Sequence, residues 1–150
     1  MRKAIFIKNQ NQIWKDLSEK LKKKHNIIPV MWLGGTHDEY KNGVLFYSHK
    51  SAILLKDPIK YKKDLNLGLN LDEIELISKN TKLFFNLINR WSVFSDKIAY
   101  ENKLEYFIKS YEKWKNIDNQ INFDFVISPT IPHRLYDFSL YLYCQYKKKK

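Results

Sequence analysis

Residues 128–137, near the end of the chain, bring together three side chains that can do acid–base or ionic chemistry. The imidazole of His133 exchanges a proton near neutral pH, and the guanidinium of Arg134 can clamp a carboxylate or a phosphate. Asp137 falls in the first turn of a predicted helix, where its charge is favourable and where it can orient a neighbour. Two prolines restrict the backbone of this segment. This grouping makes the segment the strongest candidate site in the sequence, with His133 as a proton-exchanging group, Arg134 as a substrate-binding residue and Asp137 as a residue that can orient a neighbour.

The same three residues also have a purely structural interpretation. Asp137 can serve only to begin a helix, His133 can hydrogen-bond within its loop, and Arg134 can be a surface cation. Residue types favour neither interpretation, so both stay open at the level of the sequence.

A second polar segment, residues 34–39, begins with two glycines and continues with Thr, His, Asp and Glu. Paired glycines permit positive φ angles or the close approach of another group. We predict that Gly34, Gly35 and Asp38 face a substrate, with a plain turn as the alternative. The segment is neither a dinucleotide fingerprint nor a Walker loop, because the chain contains neither glycine pattern.

Several classes of site are disfavoured by what the sequence lacks. It has no G-x-S-x-G elbow and no H-E-x-x-H motif, which argues against the common serine hydrolases and zinc peptidases. Its histidines show no metal-ligand spacing, so we predict no metal site. Cys144 is the single cysteine, which excludes an internal disulfide, and its apolar surroundings predict a packed thiol.

The front of the chain predicts a strand–helix–strand unit that would position the glycine segment. Residues 3–8 form a short apolar run flanked by charge, as in a strand covered on both faces. Apolar residues beginning with Ile13 repeat at four-residue spacing over Gln12–His25, and a second apolar run covers 27–33. We expect the two strands to be parallel, with a right-handed crossover.

The rest of the chain continues the alternation of strands and helices. The second of the later helices carries an aromatic stripe that predicts core packing. The predicted elements are a strand at Val44–Ser48, an irregular connection over 51–70, helices over 71–91 and 96–116, a strand over 123–127 and a helix over Leu135–Tyr146.

Together these elements predict an α/β, Rossmann-like three-layer domain with a mainly parallel sheet and helices on both faces. One such domain accounts for all 150 residues. Ligands collect beyond the carboxyl ends of parallel strands. Segments 34–39 and 128–137 should therefore open on the same rim, with 123–127 as an inner strand. A final strand–loop–helix unit normally leads to another strand, so we also expect the chain to be the front half of something larger.

The composition is that of a globular and strongly basic protein. Hydrophobic residues make up 44% of the chain, and the net charge is +11. Arginine, which reads bases and clamps phosphates better than lysine, occurs only at Arg2, Arg90 and Arg134, so nucleic acid is an unlikely partner. No apolar run approaches the roughly 20 residues of a membrane span, and we expect a cytoplasmic protein.

The final strand–loop–helix carries a family resemblance. It reads FDFVISPTIPH over 123–133 and continues with Tyr136, Asp137, Phe138, Leu140 and Tyr141. This pattern resembles a segment of bacterial surface-polysaccharide biosynthesis proteins of the capsule and O-antigen type. Those proteins are similar to glycosyltransferases with two facing Rossmann-like domains, the GT-B arrangement. The opening strand–helix–strand unit also suits the start of such an N-terminal domain.

The resemblance implies an acceptor-side N-terminal domain of a glycosyltransferase-like protein. Its nucleotide-sugar donor would be held mainly by a C-terminal domain that is missing here. This chain would then be truncated, without a cofactor of its own and inactive alone. The acceptor would be a sugar or a lipid-linked glycan, with peripheral contact to the inner membrane.

The same resemblance implies roles for particular residues. Tyr136 would join His133 and Asp137 in the cleft between the two domains and would bind substrate there, together with the glycine segment at 34–38. An inverting transfer needs a base that takes the proton of the acceptor hydroxyl, and His133 and Asp137 are the candidates.

Two other classes of function stay open. The chain can be a stand-alone binding or accessory domain that uses the same loops without turnover, or a basic nucleic-acid-binding module. Lysines lining one groove with exposed aromatic residues would favour the nucleic-acid module, whereas lysines spread over all faces would not.

Overall fold

The computed structural model describes residues 1–7, 11–57, 68–90 and 99–150, which form one mixed sheet and five helices. The strands are β1 (Arg2–Ile7), β2 (Ile27–Gly35), β3 (Glu39–Lys41), β4 (Val44–Ser48) and β5 (Phe125–Ile127). The helices are α1 (Gln12–His25), α2 (His49–Ile53), α3 (Leu71–Asn89), α4 (Tyr100–Ile121) and α5 (Leu135–Tyr146).

The five strands lie in the order β3-β4-β2-β1-β5. β1 pairs in parallel with both β2 and β5, and β2 pairs in parallel with β4. Of these strands, β3 runs antiparallel, against β4. The prediction of an α/β fold with a mainly parallel sheet is therefore confirmed, and the carboxyl ends of four parallel strands meet at one edge of the sheet.

Alternate residues of the strands enter two separate hydrophobic clusters, because successive side chains point to opposite faces of a sheet. In β1, Ala4 and Phe6 belong to a smaller cluster that includes Trp14 of α1. Ile5 belongs to a larger cluster that side chains of α2, α3, α4 and α5 complete. Both faces of β1 are thus covered, which explains its continuous apolar sequence.

α1 keeps its predicted bounds because both of its ends are capped. The side chain of Asn11 accepts a hydrogen bond from the backbone N–H of Trp14 at 3.1 Å. Asn26 ends the helix in the left-handed conformation, with φ at 55°, which is common just after a helix. The buried stripe begins one residue later than predicted, since Ile13 is 76% exposed whereas Trp14 packs against the sheet.

β3 and β4 form a hairpin that the sequence analysis did not predict. Asn42 and Gly43 connect the strands with φ values of 51° and 80°, the positive angles of a type I′ turn. An Asn-Gly pair between strand-like residues is itself a hairpin signal, so β3 was detectable. The predicted bounds of β4 are confirmed.

The last strand is shorter and more peripheral than predicted. β5 covers Phe125–Ile127 and lies at the edge of the five-stranded sheet, so the expectation of an inner strand over 123–127 is wrong. β1 takes the inner position because it pairs with both β2 and β5. Beside β5, the backbone carbonyl of Lys150 accepts a hydrogen bond from the N–H of Val126 at 2.8 Å. The backbone N–H of Lys150 donates to the backbone carbonyl oxygen of Asp124 at 3.4 Å.

Three predicted helices are confirmed with small changes of bounds. α3 ends at Asn89, and Trp91, at the predicted end, lies outside the described residues. α4 extends to Ile121, and residues 96–98 of its prediction lie outside the described residues. α5 has its predicted bounds. The aromatic stripe of α4 is core, as predicted: Phe107, Tyr111 and Trp114 are buried.

The short helix α2 was not predicted. It begins at His49 and reaches into segment 51–70, which the sequence analysis treated as irregular. The hydroxyl of Ser48 begins it by accepting a hydrogen bond from the N–H of Ser51 at 3.1 Å. Residues 58–67 of the predicted connection lie outside the described residues.

Candidate functional site

The carboxyl ends of the parallel strands open onto a cavity of about 380 Å³. Its lining comes from both polar segments of the sequence. Gly34 belongs to the end of β2, and His133, Arg134 and Asp137 belong to the loop and helix that follow β5. Ile7, the last residue of β1, lines the same cavity. The two segments therefore share one rim of the sheet, as predicted, even though β5 is an edge strand.

Arg134 is anchored by a phenol and an imidazole. Its Nη1 donates a hydrogen bond to Oη of Tyr136 at 2.9 Å and lies 3.4 Å from Nδ1 of His49. Oη of Tyr136 lies 3.0 Å from the same Nδ1. The three groups form a triangle that joins the start of α5 to the start of α2.

The surroundings of this triangle favour a neutral His49. Burial lowers the pKa of His49, and the positive charge of Arg134 lowers it further. Burial also raises the pKa of Tyr136, by more than Arg134 lowers it. A neutral imidazole with an unprotonated Nδ1 can accept hydrogen bonds from both the Tyr136 hydroxyl and the Arg134 guanidinium, which accounts for the observed contacts.

His49 is the residue of this triangle that sequence reasoning missed. It follows directly on β4, whose bounds were predicted, and the carboxyl ends of parallel strands share one rim. The sequence feature that could have identified His49 is its place in the chain, because it is a titratable residue directly after a predicted strand. A search for metal-ligand spacing does not detect such a residue.

His133 and Asp137 lie close together in the cavity. Nδ1 of His133 lies 4.0 Å from Oδ2 of Asp137 and 3.1 Å from the carbonyl oxygen of Ile131. The side chain of His133 is 56% exposed, whereas that of Asp137 is 3% exposed. When the ring is neutral, the carbonyl oxygen of Ile131 favours the tautomer with its proton on Nδ1, which leaves Nε2 unprotonated.

Asp137 also begins α5. Its Oδ1 accepts a hydrogen bond from the backbone N–H of Arg134 at 2.6 Å, one of the N–H groups that a helix start leaves without a partner. Burial raises the pKa of Asp137, and the bond from Arg134 and the nearby His133 only partly offset this. Asp137 therefore begins the helix and lines the cavity, so both interpretations of the sequence apply to it.

Asp38 contacts α2 and is not among the described residues that line the cavity. Its Oδ1 accepts a hydrogen bond from the N–H of Ser48 at 2.6 Å, and its Oδ2 accepts one from the hydroxyl of Ser51. Burial opposes the charged form, but these hydrogen bonds outweigh it and lower the pKa of Asp38. The carboxylate thus ties the loop after β2 to the start of α2.

The two glycines after β2 differ in what their positions require. Gly34 has a φ of 105°, a conformation that favours glycine. A Cβ there would lie 3.5 Å from Oη of Tyr136 and 4.0 Å from Nη1 of Arg134. A Cβ at Gly35 would meet only the carbonyl oxygen of His37, at 3.9 Å. The backbone conformation of Gly34 therefore favours glycine, and a Cβ there would be in ordinary contact with the Arg134–Tyr136 pair.

Among residues 1–7, 11–57, 68–90 and 99–150, no three His, Cys, Asp or Glu side chains are grouped so as to hold a metal ion. Cys144 is a buried free thiol, as predicted, and burial raises its pKa to about 12. Within these same ranges, no helix is both long and apolar enough for a membrane crossing.

Comparison with protein-family models, with curated proteins and with solved structures finds no match for this chain. The interpretation of the cavity therefore depends on its own geometry and on the resemblance carried by the final strand–loop–helix.

Proposed function

We propose that this chain is the acceptor-side domain of a glycosyltransferase-like protein of bacterial surface-polysaccharide biosynthesis, with a Rossmann-like three-layer arrangement. The observation that carries the proposal is the cavity shared by Gly34, His133, Arg134 and Asp137 at the carboxyl edge of the sheet. Ligands of open α/β sheets bind at this edge. Separate hydrophobic clusters on the two faces of the sheet support the three-layer arrangement.

The size and lining of the cavity suit a sugar. A volume of about 380 Å³ falls within the range of small-molecule sites. An imidazole, a guanidinium and a carboxyl group can together bond several hydroxyl groups. Ile7 and Leu33 supply apolar contacts in the same cavity, as the carbon face of a sugar ring requires.

In this proposal His133 is the general base. Its Nε2 accepts the proton of the acceptor hydroxyl while that oxygen bonds to the anomeric carbon of the donor sugar. The bond from the anomeric carbon to the nucleotide phosphate breaks, and the nucleotide leaves. Asp137, 4.0 Å from Nδ1, orients the ring and stabilises the imidazolium. Asp137 is the weaker candidate base, because it is buried and bound by the N–H of Arg134.

The donor belongs to another domain in this proposal. In the GT-B arrangement that the chain resembles, a C-terminal domain holds most of the nucleotide-sugar, so no cofactor is proposed for these residues alone. The acceptor is a sugar or a lipid-linked glycan, met in the cytoplasm at the surface of the inner membrane.

The placement of lysines supports this proposal over nucleic-acid binding. Exposed lysines lie on α1, which packs against the smaller hydrophobic cluster on one face of the sheet. Others lie on α3 and α4, which pack against the larger cluster on the opposite face. A nucleic-acid-binding surface would concentrate its cations on one face or along one groove. The strong positive charge is thus distributed around the described part of the chain.

Glycan binding to the isotope-labelled full chain tests the proposal. Mono- and oligosaccharides are added singly while amide resonances are recorded by NMR. We expect saturable shifts that include Gly34, His133 and Arg134. His25→Gln, at the exposed end of α1, serves as a control that should leave the shifts unchanged.

A second titration separates the competing function. An oligonucleotide is added over a series of salt concentrations, since phosphate-driven affinity falls steeply as salt rises. Tight, salt-sensitive oligonucleotide binding without any glycan response at the cavity would contradict the proposed function.

A further inference from the structure

We propose that the ligand of this cavity carries an oxyanion, a carboxylate or a phosphoryl group, which binds the guanidinium of Arg134. The glycan part of this ligand rests on the proposed function, whereas the anionic part rests on the geometry of Arg134. The inference thereby narrows the acceptor to an acidic or phosphorylated sugar.

The charge of Arg134 is not neutralised by any ion pair within the described residues. Lysines in partly buried positions of the same residues behave differently. Lys115 pairs with Glu73 at 2.7 Å, and Lys149 pairs with Asp118 at 2.8 Å. The side-chain contacts of Arg134 are a phenol and an imidazole instead. The carboxyl group of Asp137 acts on Arg134 through space but makes no salt bridge with it, so the half-buried guanidinium can still take an anion in the space beside it.

Much of the hydrogen-bonding capacity of Arg134 is unused. Its contacts to Tyr136 and His49 are both made by Nη1, and no described residue accepts a hydrogen bond from Nε or Nη2. The N–H groups on these two nitrogens lie side by side in the guanidinium plane. That pair is the fork with which arginine binds two oxygens of a carboxylate or phosphate.

The neighbours of Arg134 hold it in place before a ligand binds. Tyr136 is 1% exposed, so its hydroxyl is a fixed acceptor for Nη1. His49 adds a second contact from α2. Gly34 lies beside the guanidinium group, since a Cβ at that position would be 4.0 Å from Nη1. A charged group that is already ordered loses less entropy when it binds its ligand.

Asp137 shares the cavity, and its oxygens are engaged elsewhere. Oδ1 is bound by the N–H of Arg134, and Oδ2 lies 4.0 Å from Nδ1 of His133. The guanidinium of Arg134 therefore faces a ligand beside one buried carboxyl group.

Three matched probes test the inference on the full chain by isothermal titration calorimetry at constant ionic strength. They are methyl glucoside, which is neutral, methyl glucuronide, which carries a carboxylate, and glucose 1-phosphate. We expect one or both anionic probes to bind about tenfold more tightly than the neutral probe. The probe that binds identifies the source of the oxyanion. Equal affinity for all three probes overturns the inference.

Two substitutions locate the effect. Arg134→Gln should remove the advantage of the anionic probe, and Arg134→Lys, which keeps the charge without the planar fork, should keep only part of it. Arg90→Gln, at the exposed end of α3, is the matched control. Circular dichroism checks that each variant is folded. If Arg134→Gln does not fold, the inference is tested by Arg134→Lys and by the affinities of the parent chain for the three probes. An advantage that persists unchanged in both variants contradicts the inference.

Inorganic phosphate distinguishes this inference from the proposed function. If it binds through Arg134 as tightly as glucose 1-phosphate does, the oxyanion site is supported and the sugar assignment fails. If neutral glycans bind at the cavity as well as anionic ones, the sugar assignment is supported and the oxyanion inference fails.

Discussion

Oη of Tyr136 lies 3.0 Å from Nδ1 of His49, although 87 positions separate the two residues in the chain. Neither residue is among the described residues that line the cavity, whereas Arg134, which contacts both, does line it. Tyr136 and His49 are therefore positioning residues that act through Arg134. They also join α5 to α2 at the edge of the sheet where a ligand would bind.

Removing the Tyr136 hydroxyl should weaken both the fold and the site. Tyr136→Phe keeps the ring but leaves the buried contacts to Arg134 and His49 unmade, so the free energy of unfolding should fall by about 1–3 kcal/mol. Arg134 loses its anchor, so the affinity for the anionic probe should fall as well. Chemical denaturation and calorimetry measure the two effects. Tyr141→Phe, at an exposed tyrosine of the same helix, should change neither, and loss of stability alone at Tyr136 would argue against its positioning role.

His49 gives the protein a dependence of stability on pH. Burial, and then the charge of Arg134, hold the pKa of His49 below its ordinary value of 6.5. The unfolded chain therefore binds more protons at this residue, and stability falls as the pH drops from 6.5 towards the lowered pKa. His49→Gln should show a smaller loss of stability between pH 7.5 and pH 5 in urea unfolding. Arg134→Gln should raise the pKa of His49 in an NMR titration, and an unchanged pKa would contradict the assigned cause.

Two substitutions of Asp137 distinguish the effect of its charge on stability from the effect of the hydrogen bond that it accepts. Burial raises the pKa of Asp137, so its contribution to stability is greatest in acid and is lost as the pH rises through that raised pKa. Asp137→Asn keeps an acceptor for the N–H of Arg134 and should match the parent stability at pH 7. Asp137→Ala loses the acceptor and should cost about 1 kcal/mol in chemical denaturation. A greater loss in the Asn variant would refute this account.

Asp38 should matter for stability and not for the ligand, because it ties the loop after β2 to Ser48 and Ser51. Asp38→Ala should lower the free energy of unfolding by about 1–3 kcal/mol and leave the affinity for the anionic probe unchanged. The lowered pKa of Asp38 makes this contribution present above pH 3.8 and lost as the pH falls below it. Asp16→Ala, on the exposed side of α1, is the control. Weakened probe binding in the Asp38 variant would place this residue in the site after all.

Local patterns predicted those parts of the fold that depend on neighbouring residues. α1 kept its bounds because Asn11 and Asn26 cap it, and the apolar runs of β1 and β4 fall where the strands lie. The polar loops after β2 and β5 share one rim because both strands run parallel to β1. For β2 that geometry follows from the strand–helix–strand pattern alone.

Local sequence patterns did not predict the contacts between segments that are far apart in the chain. Strand order depends on which edges pair, so the sequence did not show that β1 would be inner and β5 would be at the edge. The contact between His49 and Tyr136 requires α2 to lie beside α5, and α2 itself was not predicted. Asp38 was predicted to face a substrate because an aspartate near two glycines can bind a ligand. The sequence does not reveal that the backbone N–H of Ser48 donates a hydrogen bond to its carboxylate instead.

Gly34→Ala tests how closely β2 must approach the Arg134–Tyr136 pair. The φ of 105° at Gly34 disfavours alanine, and the added methyl group would lie 3.5 Å from Oη of Tyr136. Gly43→Ala is the matched control, because its φ of 80° is also strained but nothing lies within 4 Å of the added carbon. Both variants should lose about 1–3 kcal/mol of stability in chemical denaturation. Only Gly34→Ala should also weaken calorimetric binding of the anionic probe, and equal binding by both variants would mean that the site does not depend on this close approach.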